Sequence, residues 1–390
     1  MHRELVRAMA LNELIKHLVD KPLDTQSRNY LVNRENEVDT LNKIVTYQPY
    51  GIFGIAGETG IGKTTVLNFI TPKEVFIRKV NISLRDSTDS ILYDLTYNLA
   101  KSLESDGEIG KDAQSIKEWM AYEVSTVRGF SLGLSMVGSA SASFQTSNTP
   151  RFDFFTAREK LAELITKTVQ SKGKFLLLID ELDKEKKEDV LRTIDAIKSQ
   201  ILFDNFVIVI SLPYSIYREY AADRMHWNES GNLENIFKDI VFLEPLSKSD
   251  IKELLVKRLH EYLHLISDNV FEIASDFADG NPRDALWIMN KTVFDNIEAQ
   301  RLEAEHILKT VDKLAREYIT TPLTENQRRA IGLLKNFVGT RDKLVERLQE
   351  SGIKRTTAYS IINQLIEKKI IIERNGVYKL SGKYKYTTIE

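Results

Sequence analysis

Short apolar runs alternate through most of the chain with stretches in which apolar residues recur every three or four positions. Each run has the length of a strand that is buried on both faces. The stretches between them have the period of amphipathic helices that pack on a sheet. The pattern predicts five strands, at Tyr50–Ala56, Glu74–Ser83, Phe175–Ile179, Asn205–Pro213 and Ile240–Leu246. Strands that alternate with helices in this way indicate an α/β fold with a parallel sheet.

The pattern changes after the last of these strands. Residues 247–319 show only helical spacing, and Thr320-Thr321-Pro322-Leu323-Thr324 is a candidate linker. Three helical segments follow, and then Asn375-Gly376, which favours a tight hairpin turn between two apolar stretches. Three helices and a hairpin predict a winged helix. We therefore expect an N-terminal helical segment, a core, a helical lid and a winged-helix domain, over 1–30, 31–246, 247–319 and 320–390.

Composition restricts the chemistry. The 390 residues include no cysteine, which excludes disulfides, thiolate nucleophiles and cysteine-bound zinc. The 6 histidines are scattered and do not have the spacing of a metal site. No apolar run is long enough to cross a bilayer, and the first residues lack the apolar centre of a signal peptide. The sequence therefore predicts a cytoplasmic protein with no membrane partner.

The strongest motif follows the first predicted strand and precedes a predicted helix. It is Gly57-Glu58-Thr59-Gly60-Ile61-Gly62-Lys63-Thr64, which has the glycines and the Lys-Thr pair of a phosphate-binding loop. The glycines allow successive N–H groups to point at phosphate oxygens. Lys63 is predicted to reach the β- and γ-phosphates and Thr64 to hold Mg²⁺, with Thr65 beside them. The motif predicts binding of a nucleoside triphosphate.

A second motif, Asp180-Glu181, ends the buried strand Phe175–Ile179. Ligands of open α/β sheets lie at the carboxyl ends of the strands, so we expect both carboxylates near the phosphates. Asp180 is predicted to bind Mg²⁺ through its water shell, and Glu181 to polarise the water that attacks the γ-phosphate. A protein that only bound the nucleotide would not need Glu181. The pair therefore favours hydrolysis.

Two further polar residues are candidates for the same site. Ser211 lies near the end of a buried strand, where its hydroxyl can touch the γ-phosphate or align the water. Arg283 follows Gly280-Asn281-Pro282 in the first turn of a helix, from which a lid cation can reach back to the phosphates. A plain strand-end serine and a surface arginine are the respective alternatives.

An irregular segment, 105–150, is inserted in the predicted core. Within it, Phe130–Phe144 is almost free of charge and partly alternates between apolar and small residues. This alternation predicts a β-hairpin, and a flexible Ser/Gly linker is the alternative.

The C-terminal region is basic. Thr321–Glu390 has 14 Lys/Arg against 7 Asp/Glu, a net charge of +7 in a chain whose total is −2. The start and outer face of its third helix suit entry into a DNA major groove, and the hairpin adds two cations. The predicted DNA contacts are Lys354, Arg355, Thr356, Thr357, Tyr359, Ser360, Asn363, Arg374 and Lys379. A winged helix that makes only protein contacts is the alternative.

In order and rough spacing, these motifs resemble the Walker A, Walker B, sensor 1 and sensor 2 elements of AAA+ ATPases. The corresponding residues are Gly57–Thr64, Asp180-Glu181, Ser211 and Arg283. With the winged helix, the layout is most similar to the origin-recognition initiator and helicase-loader ATPases of archaea. The resemblance implies a three-layer P-loop core, ATP with Mg²⁺, and a segment that cradles adenine at Leu31, Val32 and Arg34. It also implies duplex DNA as a partner, with a partner ATPase or helicase or further copies of the chain, and a role in DNA replication.

Three features depart from that family. Sensor 1 is commonly Asn in the family, whereas Ser211 occupies this position here. The arginine finger is expected within Gly231–Val241, which contains only Lys238, while Arg218 and Arg224 lie upstream. The inserted segment is also unexpected in an initiator. These departures predict slow hydrolysis. They leave a signalling or scaffold ATPase of the STAND class, with a related layout, as the alternative to a DNA-binding switch.

Overall fold

The chain divides into two compact units in the computed structural model, which describes residues 11–82, 88–120, 154–184, 186–198, 203–225, 233–319 and 322–387. One unit is Arg34–Glu244, and the other combines Met1–Asn33 with Pro245–Glu390. The sequence predicts a core that begins at residue 31 and a lid separate from the C-terminal domain. In the structure, the first residues, the lid and the C-terminal region form one unit.

The unit Arg34–Glu244 is built on five parallel strands, in the order β2-β3-β4-β1-β5. The strands β1 to β5 span Gly51–Gly57, Val75–Asn81, Lys174–Asp180, Phe206–Pro213 and Phe237–Phe242. β1, β3 and β4 are buried along almost their whole length. Burial on both faces explains why their sequences are continuously apolar and do not alternate. The predicted α/β fold with a parallel sheet is confirmed.

Helices cover this sheet and share one core with it. Helices α2 to α8 span Glu35–Tyr47, Lys63–Asn68, Thr88–Leu103, 110–120, Phe154–Lys172, Lys187–Lys198 and Tyr214–Met225. Leu95, Leu161 and Ile194 from three of these helices are buried in the same cluster as Phe175 and Ile210 from the sheet.

The strand register aligns polar residues at the carboxyl edge of the sheet. β4 lies between β1 and β3, and Ile210 pairs with Gly54 on one side and with Ile179 on the other. The next residues along, Ser211 and Asp180, are therefore level with each other. Two predicted site residues thus meet at the edge from which the loop after β1 also emerges.

The other unit contains helix α1 (11–17), a 3₁₀ helix at Thr25–Tyr30 and four lid helices. The lid helices α9 to α12 span Lys248–Arg258, Asp268–Ala278, Pro282–Asp295 and Ala304–Tyr318. Ser247 and Asp250 form a capping box at the start of α9. Leu11 and Leu14 are buried in the same core as Ile251 and Phe271. The apolar face of α1 therefore packs on the lid.

The C-terminal region contains three helices and a small antiparallel sheet of order β6-β8-β7. Its elements α13, β6, α14, α15, β7, β8 and α16 span Glu325–Leu334, Val338–Gly339, Arg341–Glu350, Arg355–Glu367, Ile371–Arg374, Val377–Leu380 and Gly382–Lys385. Asn375 and Gly376 form the hairpin turn with φ values of 51° and 76°. A type I′ turn requires such left-handed values. The three predicted helices and the hairpin are present, and their assignment as a winged helix stays a prediction.

Two predicted features lie outside the described residues, namely the hairpin at 130–144 and Thr320-Thr321 of the candidate linker. Among the helices that the structure describes, none is both long enough and apolar enough to cross a membrane.

Candidate nucleotide site

The predicted phosphate loop joins β1 to α3 at the carboxyl edge of the sheet. Gly62 has a φ value of 105°, which other residues rarely adopt. At Gly57, a Cβ atom would lie 3.0 Å from the carbonyl oxygen of Leu243. The loop therefore needs glycine both for its backbone conformation and for close packing. Backbones that curl in this way direct successive N–H groups towards an anion.

Lys63 is the first residue of α3, and its side chain is only 3% exposed. Its ammonium donates to the carbonyl oxygens of Gly57 at 2.8 Å and Glu58 at 2.9 Å. It also pairs with Asp183 Oδ2 at 3.0 Å. Three oxygens thus hold the charge beside the loop. A triphosphate would offer Lys63 several charged acceptors, which make stronger hydrogen bonds than neutral carbonyls.

Asp180 ends β3 and is 2% exposed. Its Oδ1 accepts from the Thr64 hydroxyl at 3.3 Å and from the Glu181 N–H at 2.8 Å. Its Oδ2 pairs with Lys79 Nζ at 2.8 Å. The fold thus brings the two predicted Mg²⁺ ligands into contact. A hydroxyl and a carboxylate are oxygen donors of the kind that Mg²⁺ prefers, so the pair fits this ion.

Glu181 has a φ value of 71°, in the left-handed region where a side chain strains the backbone. Its side chain is 48% exposed and pairs with Lys184 at 2.7 Å. Strain of this kind is concentrated at functional sites. The carboxylate is accessible to water, as a general base must be.

Asp183 belongs to the same cluster, although no motif in the sequence marks it as a site residue. Its Oδ1 accepts from the hydroxyl of the fully buried Ser211 at 3.2 Å, while its Oδ2 pairs with Lys63. A 3₁₀ turn, Leu182–Lys184, carries Asp183 back towards the loop. The only sequence feature that points to Asp183 is its position, because it is a third carboxylate two residues after Glu181. Ser211 is thus linked to Lys63 through Asp183.

The KAP family P-loop domain matches residues 34–316, well over half of the chain. The protein belongs to the KAP family of P-loop NTPases. Among solved structures it is similar to the Walker-type ATPase of Pyrococcus abyssi, with 14% identity and a TM-score of 0.47 over 95% of this chain and 98% of that one. It is also similar to the RuvB Holliday junction branch migration motor of Thermotoga maritima, with 15% identity and a TM-score of 0.38 over 94% of this chain and 97% of that one. No relative was found among curated proteins.

The family match confirms the P-loop NTPase that the loop Gly57–Thr64 and the pair Asp180-Glu181 predict. The family shown is KAP. The more specific resemblance to archaeal initiators is not what the match shows.

The residues predicted to cradle adenine are divided between the two units of the KAP protein. The carbonyl oxygen of Leu31 accepts from Lys257 Nζ at 3.2 Å, and Val32 packs in the core of the lid. Arg34 is 6% exposed and donates to the carbonyl oxygen of Glu244 at 2.7 Å. Their contact with adenine stays a prediction.

Arg283 lies in the first turn of α11. Asn281 caps this helix by accepting from the Arg283 N–H at 3.1 Å, and Pro282 occupies the first helical position. The guanidinium is 43% exposed and pairs with Asp20. Its predicted role as a phosphate sensor stays a prediction.

Most of the predicted DNA contacts lie at the start or on the outer face of α15. The exposed ones are Lys354, Arg355, Thr356, Ser360 and Asn363, and the half-buried ones are Thr357 and Tyr359. The side chain of Asn363 accepts from Arg341. The face is therefore basic, polar and accessible.

The two predicted contacts on the hairpin, Arg374 and Lys379, are bonded to the lid. Arg374 donates to the carbonyl oxygen of Asp279 at 2.6 Å, and Lys379 pairs with its Oδ1 at 2.9 Å. The Ser381 hydroxyl and the Gly382 N–H both donate to Asp279 Oδ2 at 2.8 Å. Asp279 is 9% exposed and directly follows α10. One lid aspartate thus fixes the end of the hairpin.

Asp276, one turn earlier in α10, binds the last residues of the described chain. It pairs with Lys385 at 2.7 Å and Lys248 at 3.1 Å, and it accepts from the Tyr386 hydroxyl. Burial alone would raise the pKa of Asp276, but these hydrogen bonds outweigh it and lower the pKa. Burial and the bond to Asp276 raise the pKa of Tyr386. The cluster therefore keeps Asp276 ionised and Tyr386 protonated at neutral pH.

The two arginines upstream of the expected finger segment, Arg218 and Arg224, lie on α8, and Lys238, the cation within that segment, lies on β5. Arg224 donates to the carbonyl oxygen of Lys238 at 2.9 Å. Lys238 donates to the carbonyl oxygen of Tyr50 at 2.7 Å, and Arg218 is exposed on α8. Arg224 and Lys238 are thus engaged along the edge strand, and Arg218 and Arg224 stay weak substitutes for the finger.

Proposed function

We propose that this KAP protein is an ATP-hydrolysing molecular switch. The observation that supports it best is the contact of Thr64 with Asp180, 3.3 Å apart, beside the buried ammonium of Lys63. The loop and Lys63 would bind the phosphates, and Thr64 and Asp180 would hold Mg²⁺. Bound Mg²⁺ would neutralise charge that develops on the phosphates. ATP as the particular triphosphate rests on the sequence resemblance.

Glu181 is proposed as the general base that takes a proton from the attacking water. Its exposed carboxylate and strained backbone support this role. Ser211 is proposed as a positioning residue, since it holds Asp183, which in turn holds Lys63.

A comparison of three variants tests the proposed chemistry. Glu181→Gln should retain ATP binding and lower kcat about 10²–10⁴-fold, the usual contribution of a general base. Lys63→Ala should abolish binding. Lys184→Gln removes the partner of Glu181 but keeps the carboxylate, so its turnover should match that of the wild-type protein. Binding is measured by titration with a fluorescent ATP analogue and turnover by phosphate release. Unchanged turnover in Glu181→Gln would rule out its role as base.

We also propose that hydrolysis by the isolated chain is slow. The engagement of Arg224 and Lys238 along β5 supports this, because a finger in trans contributes about 10³–10⁵-fold in other NTPases. Turnover per chain should therefore be low. If it rises with protein concentration, another copy of the chain supplies a group to the site.

The proposed output of the switch is binding of duplex DNA by the C-terminal region acting as a winged helix. The net charge of +7 and the exposed start of α15 support this proposal. Each phosphate contact contributes about 0.9 to the slope of log affinity against log salt concentration. Replacing Lys354 and Arg355 with Gln should therefore reduce the slope by about 1.8.

The matched control for DNA binding is Lys343→Gln with Lys368→Gln. It makes the same change of charge in α14 and after α15, away from the proposed contact. Gel-shift titrations over a range of salt concentrations would compare the two double variants. If both bind DNA as the wild-type protein does, the start of α15 is not the DNA contact.

A second candidate function is a signalling or scaffold ATPase whose C-terminal region makes protein contacts. The bonds of Arg374 and Lys379 with Asp279 favour it, because they occupy two cations of the proposed DNA surface. This candidate predicts no measurable DNA binding by either the wild-type protein or Asp279→Ala. Salt-sensitive DNA binding that Asp279→Ala strengthens would instead support the first proposal.

A further inference from the structure

Lys79 lies in the middle of β2, on the same face as the end of β3. In the parallel register, Lys79 pairs with Leu178 and Asn81 with Asp180. Because side chains two residues apart point to the same face of a sheet, Lys79 and Asp180 share one face. A lysine side chain is long enough to reach from its own register position to that of Asp180. The strand register therefore directs a cation at the carboxylate that is proposed to hold the metal.

The two oxygens of the Asp180 carboxylate have different partners. Oδ1 accepts from Thr64 and from the Glu181 N–H, while Oδ2 pairs with Lys79 at 2.8 Å. The same ammonium donates to Asn68 Oδ1, at the end of α3, at 2.9 Å. Lys79 thus joins the last residue of the P-loop helix to the aspartate.

The burial of the two partners is unequal. The Asp180 side chain is 2% exposed, whereas that of Lys79 is 32% exposed. A nearby counter-charge stabilises a carboxylate that is buried this deeply. Lys79 also lines an open cleft of about 530 Å³ with Asn81, Asn98 and Lys101. The ammonium is therefore partly accessible to water, whereas the carboxylate is not.

We propose that Lys79 is a positioning residue, the built-in counter-ion of Asp180, which competes with the metal for this carboxylate. Its ion pair holds the Asp180 carboxylate in place before nucleotide arrives. It also opposes binding of a bare divalent cation, because two cations then share one carboxylate. The metal would therefore enter with the triphosphate, whose negative charge stabilises both cations. This inference rests on the proposed ATP site.

The test measures metal binding without nucleotide. Mn²⁺ is titrated into the full chain, and the free ion is followed by electron paramagnetic resonance. The wild-type protein should bind Mn²⁺ weakly. Lys79→Met should bind it at least about tenfold more tightly, the effect that one adjacent unit charge has on a carboxylate's affinity for a proton. Lys79→Arg keeps the charge and should behave as the wild-type protein does. Adding Asp180→Asn to Lys79→Met should abolish the gain.

Two controls distinguish an effect of the Lys79 charge on Asp180 from an effect of its hydrogen bond to Asn68. Asn68→Ala removes the other acceptor of Lys79 but leaves its pair with Asp180, so Mn²⁺ affinity should not change. Lys101→Met removes a charge from the wall of the same cleft and should also have no effect. Equal Mn²⁺ affinity in the wild-type protein and Lys79→Met would overturn the inference, as would an equal gain in Asn68→Ala.

A second measurement covers the case in which Lys79→Met is unstable. Mg²⁺ alone should raise the unfolding temperature of Lys79→Gln or Lys79→Met more than that of the wild-type protein, because the ion replaces the missing charge. An equal rise in all three proteins would contradict the inference. Titration of the wild-type protein with ATP and Mg²⁺ tests the proposed function separately. If the wild-type protein binds ATP with Mg²⁺ but the Lys79 variants gain no metal affinity, the proposed role of Lys79 is wrong and the proposed ATP site stands.

Discussion

Three carboxylates near the end of β3 each face a lysine, and their burial distinguishes them. The pair Glu181–Lys184 is about half exposed. The side chains of the pair Lys63–Asp183 are only 3% and 11% exposed. Exposed pairs contribute little to stability, about 0–1 kcal/mol, whereas breaking a buried pair leaves an uncompensated charge. Of these two pairs, only Lys63–Asp183 should therefore influence the stability of the empty site.

Asp183→Asn should lower the free energy of unfolding of the nucleotide-free protein by roughly 3 kcal/mol, because Lys63 loses its buried counter-ion. ATP with Mg²⁺ should restore part of this loss, since the phosphates supply negative charge to Lys63. Denaturant unfolding with and without nucleotide measures both effects. Lys184→Gln, the control for the exposed pair, should lose less than about 1 kcal/mol. An equal loss for Asp183→Asn in both conditions would contradict the proposed exchange of partners.

The sequence identifies residues whose chemistry depends on local spacing, but not those that depend on register. The loop Gly57–Thr64 is recognisable because its glycines and Lys63 act within one turn. In the sequence, Lys79 resembles an ordinary charge on a strand. Only the pairing of β2 with β3 places it on the same face as Asp180, two positions away in the register. Asp183 likewise depends on the 3₁₀ turn that carries it towards Lys63.

At the scale of elements, the C-terminal helices were predictable and their docking was not. Thr324 caps α13 and Asn375-Gly376 turns the hairpin, and both are local signals. The residues that bind the lid, among them Lys379 and Lys385, resemble surface cations in the sequence. Their partners lie far away in the sequence. Lys385 is 109 residues from Asp276, and Ser381 is 102 residues from Asp279. Only the tertiary structure brings the two sets together.

Gly382→Ala should loosen the docking of the C-terminal segment. A Cβ at this position would lie 1.6 Å from the carbonyl oxygen of Asp276, so the backbone must shift. We expect a loss of about 1–3 kcal/mol, typical of overpacking, and faster proteolysis after α15. Thermal unfolding and limited trypsin digestion measure the two effects.

The matched control is Gly332→Ala, an exposed position in α13 with no atom within 4 Å of the new Cβ. It should stabilise the protein by about 0.5–1 kcal/mol, because alanine favours a helix. If Gly382→Ala were as stable and as resistant to trypsin as this control, the docked arrangement would be wrong.

At the scale of the whole molecule, the sequence predicts the order of the parts better than their grouping. Leu11 and Leu14 lie in the predicted N-terminal helical segment, and their spacing places them on one face of a helix. The spacing indicates that this face is buried but not what covers it. In the structure they pack with lid residues more than 200 positions away, such as Ile251 and Phe271. Periodicity specifies which face of an element is buried, whereas the partner depends on the fold of the whole chain.

A switch requires that nucleotide bound by Arg34–Glu244 alter the unit that carries the lid and the C-terminal region. Arg283, the predicted phosphate sensor, is the residue from which we expect this coupling. Hydrogen exchange should show that ATP with Mg²⁺ protects β1 and α3 in both the wild-type protein and Arg283→Ala. Protection of α10 and α11 should appear in the wild-type protein and be lost in Arg283→Ala.

The control is Asp20→Asn, which removes the partner of Arg283 but keeps the guanidinium. Protection of α10 and α11 in this variant should match or exceed that in the wild-type protein. A ligand shifts a conformational equilibrium only through contacts that differ between the two states of the protein. Equal protection of α11 in the wild-type protein and Arg283→Ala would therefore mean that a residue other than Arg283 transmits the signal.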